Sequence, residues 1–206
     1  MVGRHASYRG FVLDENDEEL IERYAKGETD ALSVLFERYR RPLYGFVARM
    51  SPSAADADEV FQEVWLRVIN KAKTYRKDRF RGWLYRIAHN LMIDRSRCRR
   101  PNVSLDAATG DEGSETLIDR IPAKGRSPSD AAEGAELGAR IQRAVAQLPS
   151  EQREVFLLRT EGDVPFKEIA AMQGVSINTA LARMQYAISR LRKLLHNEDE
   201  AMENLS

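Results

Sequence analysis

Between Lys71 and Arg100 the chain carries eleven lysines and arginines against only Asp78 and Asp94, with Tyr75, Phe80, Trp83 and Tyr85 set among them. Cations at this density bind phosphates, and flat apolar rings stack on unpaired bases, so the segment has the chemistry of a nucleic-acid surface. Lys73-Thr74-Tyr75-Arg76-Lys77-Asp78 reads as an exposed loop able to cradle an extruded base. A second group of cations, Arg183, Arg190, Arg192 and Lys193, lies in residues 176–196, which hold no acid. Just before it, Ala170, Gly174 and Ala180 take the spacing of a helix-turn-helix. The small residue lets two helices cross closely, the glycine makes the corner, and the third position packs between them. Ser176 stands where the second helix needs its N-cap. That helix would offer Asn178, Thr179, Arg183 and Gln185 to a major groove, with Leu181 and Ala182 able to touch thymine methyl groups.

A third cluster is acidic. Asp56, Asp58, Glu59 and Glu63 share one helix with Phe61, Gln62, Trp65 and Leu66. Acids at a helix start favour the macrodipole, which accounts for Asp56 and Asp58. Val60, Val64 and Val68 fill an inner face and leave Phe61 and Leu66 partly outward beside Gln62 and Glu63. A mixed face of this kind fits docking onto a partner helix as well as ordinary packing. Catalysis has no foothold: no paired carboxylates stand near a histidine, and no phosphate-cradling glycine loop or metal-ligand spacing is present. Cys98 is the single cysteine, which excludes an internal disulfide, and His5, His89 and His196 are too dispersed for a metal cluster. Neither enzyme activity nor a cofactor is expected.

The elements that position these residues follow from the rest of the pattern. The chain has 206 residues, 43% hydrophobic and 31% charged, with 32 basic and 32 acidic side chains summing to zero. That balance hides a segregation into blocks. Residues 14–30 carry eight acids against Arg23 and Lys26, and residues 101–136 carry eight acids against three bases. Residues 101–136 also hold four glycines, four serines and Pro101, Pro122 and Pro128, the composition of a linker too poor in apolar side chains to offset its chain entropy. The chain therefore divides into 1–100, an acidic flexible linker at 101–136, and 137–206.

Both halves show helical periodicity and neither shows a convincing alternation of period two, so the fold class is all-α, two small helical domains. Leu32, Leu35, Phe36, Tyr39, Leu43, Phe46, Val47 and Met50 make one face, with Pro42 expected to kink or divide it. Ser53 with Asp56 predicts a capped helix start. A helix from Phe80 would turn Trp83, Ile87 and Leu91 inward and Arg86, His89, Asn90 and Arg97 outward. The absence of an apolar membrane span or signal core points to the cytoplasm, without membrane insertion.

Two stretches are recognisable. Asp56-Ala-Asp-Glu-Val-Phe-Gln-Glu-Val-Trp-Leu-Arg-Val with Phe80-Arg-Gly-Trp-Leu-Tyr-Arg-Ile-Ala-His-Asn-Leu-Met-Ile-Asp-Arg resembles the first domain of the extracytoplasmic-function (ECF) subfamily of bacterial sigma-70-type RNA polymerase sigma factors. Leu148-Pro149-Ser-Glu-Gln-Arg-Glu-Val-Phe, with Glu168-Ile-Ala through Leu191-Arg192, resembles their last domain. The resemblance covers roughly residues 17–100 and 137–196, in the family's order. It implies a transcription-initiation subunit without catalysis of its own. Asp58, Glu59, Gln62, Glu63 and Leu66 would bind the clamp helices of the largest subunit of core RNA polymerase. Lys73, Tyr75, Arg76, Lys77, Arg79, Trp83, Arg86, His89 and Asn90 would melt and hold the non-template single strand of the minus-ten element. Ser176, Asn178, Thr179, Arg183, Gln185, Tyr186 and Arg190 would read the minus-thirty-five duplex. The acidic linker would thread the RNA-exit path of the polymerase, and an anti-sigma protein would hold the chain inactive. The sequence departs from the family at Gln173, usually leucine, Ala180, usually valine, Leu181, often lysine or arginine, and Tyr186, commonly arginine. On the residues alone, a free-standing helix-turn-helix regulator with an N-terminal sensing or dimerising module is the next reading, and an enzyme acting on nucleic acid the last. The regulator predicts tight duplex binding by an isolated dimer.

Overall fold

The structure, a computed structural model, describes residues 15–76, 79–99 and 128–203. The expectations for Lys77 and Asp78 and for residues 101–127 of the linker lie outside the described residues. All regular structure within them is helical, as the periodicity requires. Four helices form the first half: α1 (Asp17–Ala25), α2 (Thr29–Met50), α3 (Ala54–Lys71) and α4 (Phe80–Arg99), with a 3-10 turn at Ala72–Thr74. Four more form the second: α5 (Pro128–Ala146), α6 (Ser150–Thr160), α7 (Phe166–Gln173) and α8 (Ile177–Glu203). No helix among the described residues is long and apolar enough to cross a membrane.

Local chemistry sets the ends. Asn16 caps α1, its side chain accepting from the Glu18 amide at 3.2 Å, and Asp17, Glu18 and Glu19 complement the dipole of the first turn. Ser53 caps α3 as the sequence predicts, accepting the Asp56 amide at 3.2 Å. The amide of Phe80, first residue of α4, is closed by Glu18 Oε1 at 3.0 Å, so α1 supplies the cap of a helix distant in sequence.

Two positions bear on the expected frame. Helix α2 is not divided at Pro42. Tyr39 and Leu35 before the proline and Leu43, Tyr44, Phe46 and Val47 after it are all buried, and that packing outweighs the roughly 3 kcal/mol a mid-helix proline costs. Helix α5 begins at Pro128, inside the stretch assigned by composition to the linker. Proline is well suited to a first helical position, where its missing N–H is not needed.

The core is aromatic in the first half. Phe36 meets Trp65 edge-on at 5.0 Å between ring centroids, Phe61 meets Tyr44 at 5.5 Å, and Phe46 meets Tyr85 at 5.4 Å. In the second half Leu148, Val155, Leu157, Leu158, Ile169 and Ala170 are buried with Ala180 and Ala187 of α8. The two halves also touch: α6 packs on α2 and α7 packs on α4.

Candidate functional site

The turn between α7 and α8 has the geometry its residues specify. Gly174 ends α7 in the left-handed region at φ 64°, where a side chain would be strained. Ser176 Oγ accepts the Thr179 amide at 3.1 Å and lies 2.9 Å from the Thr179 hydroxyl, closing the first turn of α8. Ala170 and Ala180 are buried at the crossing. This spacing leaves Ser176, Asn178, Thr179, Leu181, Gln185, Tyr186 and Arg190 exposed along the outer face of α8, with Tyr186 66% exposed. Arg183 is the exception. Its Nη1 donates to Gln173 Oε1 at 2.6 Å, which holds the guanidinium against the end of α7.

The basic segment is less open than its composition suggests. Lys73, Arg76, Arg79, Asn90 and Arg97 are exposed, and Arg86 is half-buried. Tyr75 and Trp83 are half-buried with ring centroids 5.0 Å apart, and each also packs on Phe80. The apolar lining of the candidate base cradle is thus already assembled. Arg81 is engaged within the protein: it donates to Tyr39 Oη at 3.2 Å and to Asp163 Oδ2 at 2.7 Å.

His89 overturns its expected outward orientation. It is 7% exposed, with Nδ1 2.5 Å from Glu154 Oε1 of α6. Helix α4 has buried faces on more than one side, and periodicity alone cannot say which polar residue meets the second neighbour. Burial works against a charged imidazole, but the hydrogen bond and charge of Glu154, with a backbone hydrogen bond at Met172, outweigh it and raise the pKa above the usual histidine value. Gln173 completes the group, donating through Nε2 to Glu154 Oε2 at 2.7 Å and to the Glu151 carbonyl at 3.1 Å.

On α3 the acidic face is divided. Asp58 is half-buried and accepts from Tyr44 Oη at 2.7 Å, Glu59 pairs with Arg95 at 2.8 Å, and Glu63 pairs with Arg67 at 3.0 Å. Gln62 is exposed and Leu66 is 53% exposed. Phe61, expected partly outward, is instead 8% exposed, taken up by Phe36, Tyr44 and Trp65. Ile69, one turn beyond Leu66, continues the apolar exposed stripe. Its spacing of three from Leu66 is the signal that could have marked it.

The arrangement offers an exposed polar helix face, an exposed cation group beside packed aromatics, and an acidic face with a bare leucine. Comparison with known proteins agrees. Sigma-70 region 2 matches residues 35–101 and Sigma-70, region 4 matches residues 138–195, between them more than half of the chain. The ECF RNA polymerase sigma factor SigW of Bacillus subtilis (strain 168) is 31% identical over 178 residues, covering 86% of this chain and 95% of SigW. Among solved structures, CnrH in complex with the cytosolic domain of CnrY aligns with a TM-score of 0.61 and 24% identity over 89% of this chain and 99% of that one. The sigma factor RpoE in complex with the anti-sigma factor NepR from Bartonella quintana aligns with a TM-score of 0.61 and 21% identity, over 80% of this chain and 96% of that one.

Proposed function

The chain belongs to the ECF sigma factors of the sigma-70 family, and from that membership we propose how its surfaces divide the work of starting transcription. It is a promoter-directing subunit of RNA polymerase. The stripe of Gln62, Glu63 and Leu66, with Asp58 and Glu59 beside it and Ile69 extending it, docks on the clamp helices of the largest polymerase subunit. Lys73, Tyr75, Arg76, Arg79, Trp83, Arg86 and Asn90 hold the single non-template strand at minus ten, the cations on phosphate and the rings against bases. The face of α8 reads the minus-thirty-five duplex through Asn178, Thr179 and Gln185, while Ser176 and Arg190 position it on phosphate.

This division keeps the first domain up to residue 100 and the second from 137, with α5 reaching back to Pro128. The protein acts in the cytoplasm, has no catalysis of its own and is restrained by an anti-sigma factor, as the neighbour RpoE is bound by NepR. The observation that carries the reading is the exposed polar face of α8 beyond a glycine corner and a serine cap.

Reconstituted transcription with core polymerase tests it. Specific start sites should appear only when the protein is added, and their absence would eliminate the reading. Gln62→Ala combined with Glu63→Ala should lower the affinity for core about tenfold or more. Unchanged core binding by that variant would remove the docking face.

A further inference from the structure

We propose that Glu18 of α1, which makes no DNA contact in the reading above, is a positioning residue for the minus-ten strand. Its carboxylate fixes the start of α4 and so keeps Tyr75, Phe80 and Trp83 set to receive a base. The inference rests on the strand-binding reading of that segment and gives a part in it to α1, which the reading leaves unused.

The frame of the cradle lies in one short stretch. Phe80 is fully buried, and its ring centroid lies 6.3 Å from that of Tyr75 and 5.8 Å from that of Trp83. These two half-buried rings keep their places only while Phe80 keeps its own. Phe80 is also the first residue of α4, where a backbone amide has no partner within the helix. Arg79 gives its carbonyl to the Trp83 amide at 3.0 Å, but a guanidinium carries only donors and cannot close that end. Glu18 Oε1 closes it, accepting the Phe80 amide at 3.0 Å from 62 residues away. A carboxylate at a helix N-terminus makes a charge-assisted hydrogen bond and meets the favourable end of the dipole.

Further contacts stiffen the brace. Tyr39 packs on Phe80 with ring centroids 5.5 Å apart. Its hydroxyl donates to Asp17, which neighbours Glu18 and also accepts from Arg38, and it accepts from Arg81 Nε at 3.2 Å. Helix α1 is itself anchored by Leu20 and Ile21, both fully buried. The start of α4 is thus tied to α1 through a backbone amide directly, and through a ring and a guanidinium by way of Tyr39. A cradle held in this way does not have to be ordered when the strand arrives, which removes one entropic cost of binding. Charge argues in the same direction. An acid facing the strand would repel its phosphates, whereas Glu18 is half-buried and committed to an amide.

Holoenzyme reconstituted from the full chain and core polymerase provides the test. The probe is a fluorescent single-stranded oligonucleotide carrying the non-template minus-ten element of a promoter that the holoenzyme uses. Glu18→Ala should weaken oligonucleotide binding about fivefold, the worth of one helix cap, at unchanged affinity for core. Glu18→Gln, which keeps an acceptor oxygen, should restore wild-type binding. Glu19→Ala removes the same charge from an exposed neighbour and should weaken nothing. The sign is decisive, because losing an acid near DNA tightens binding if charge alone acts. A second measurement needs no DNA. In a Trp65→Phe background Trp83 is the only tryptophan, and acrylamide should quench it more in Glu18→Ala than in Glu18→Gln. The proposal is overturned if Glu18→Ala holds the oligonucleotide as tightly as wild type or loses core to the same extent, or if the two variants are quenched equally. Lys73→Ala with Arg76→Ala separates the two layers. If that pair lowers oligonucleotide binding and Glu18→Ala does not, the brace alone falls; if neither does, the strand reading falls with it.

Discussion

The basic segment of the first half and helix α8 of the second both look cationic in the sequence, yet they spend their charge differently. On α4, Arg81 is engaged by Tyr39 and Asp163, Arg95 by Glu59, and His89 by Glu154. On α8, Asn178, Thr179, Gln185, Tyr186 and Arg190 are exposed, and Arg183 alone is drawn inward. The cause is position. Helix α4 contacts α1, α2 and α3 of its own half and α7 of the other, whereas α8 lies against α5, α6 and α7. A surplus of cations along a sequence is therefore not a surplus on the surface; what a helix can offer depends on how many neighbours surround it.

The contrast can be broken at three points. The largest effect should come from the buried side of α4. Leu84→Ala, at a fully buried position, should lower stability by about 2–5 kcal/mol, whereas Leu181→Ala on the outer face of α8 should stay within about 0.5 kcal/mol. Thermal unfolding of both variants decides, and equal losses would erase the distinction. Next, Asn178→Ala with Gln185→Ala should weaken promoter binding by the holoenzyme by about 1–3 kcal/mol while leaving the melting temperature in place. A loss of stability without a loss of binding would make α8 structural.

The smallest effect is a pH dependence of stability. The charged group meeting the His89 ring is Glu154 of α6, and α7 adds the Met172 backbone. The pair raises the histidine pKa, so the folded form binds the proton more tightly than the unfolded chain. Its contribution is complete below about pH 6.5 and is lost as pH rises through the raised value. The melting temperature should fall slightly between pH 6 and 8.5, and a rise over that range would contradict the assignment.

How much of this was legible depended on the range of the forces involved. The corner at Gly174, the cap at Ser176 and the cap at Ser53 are set by residues within four positions, and each was readable without the fold. The exposed stripe through Gln62 and Leu66 was equally legible, because the valines on the opposite side of α3 fix which way that helix faces. Phe61 and His89 were not. Phe61 is buried by rings from α2, and His89 by a carboxylate 65 residues away, and no local pattern encodes either neighbour. Pro42 was only partly legible for a related reason: local rules allow a kink or a break at it, but the packing that keeps α2 continuous belongs to the assembled core.

The carboxylate of Glu18 at the Phe80 amide has a bearing on how the chain is made. Synthesis proceeds from the N-terminus, so the acid that closes α4 leaves the ribosome long before the amide it serves. The start of α4 can be sealed as soon as it emerges, while α6 and α7 are still untranslated. Nascent molecules would then complete the first helical half before the second exists to pack against it.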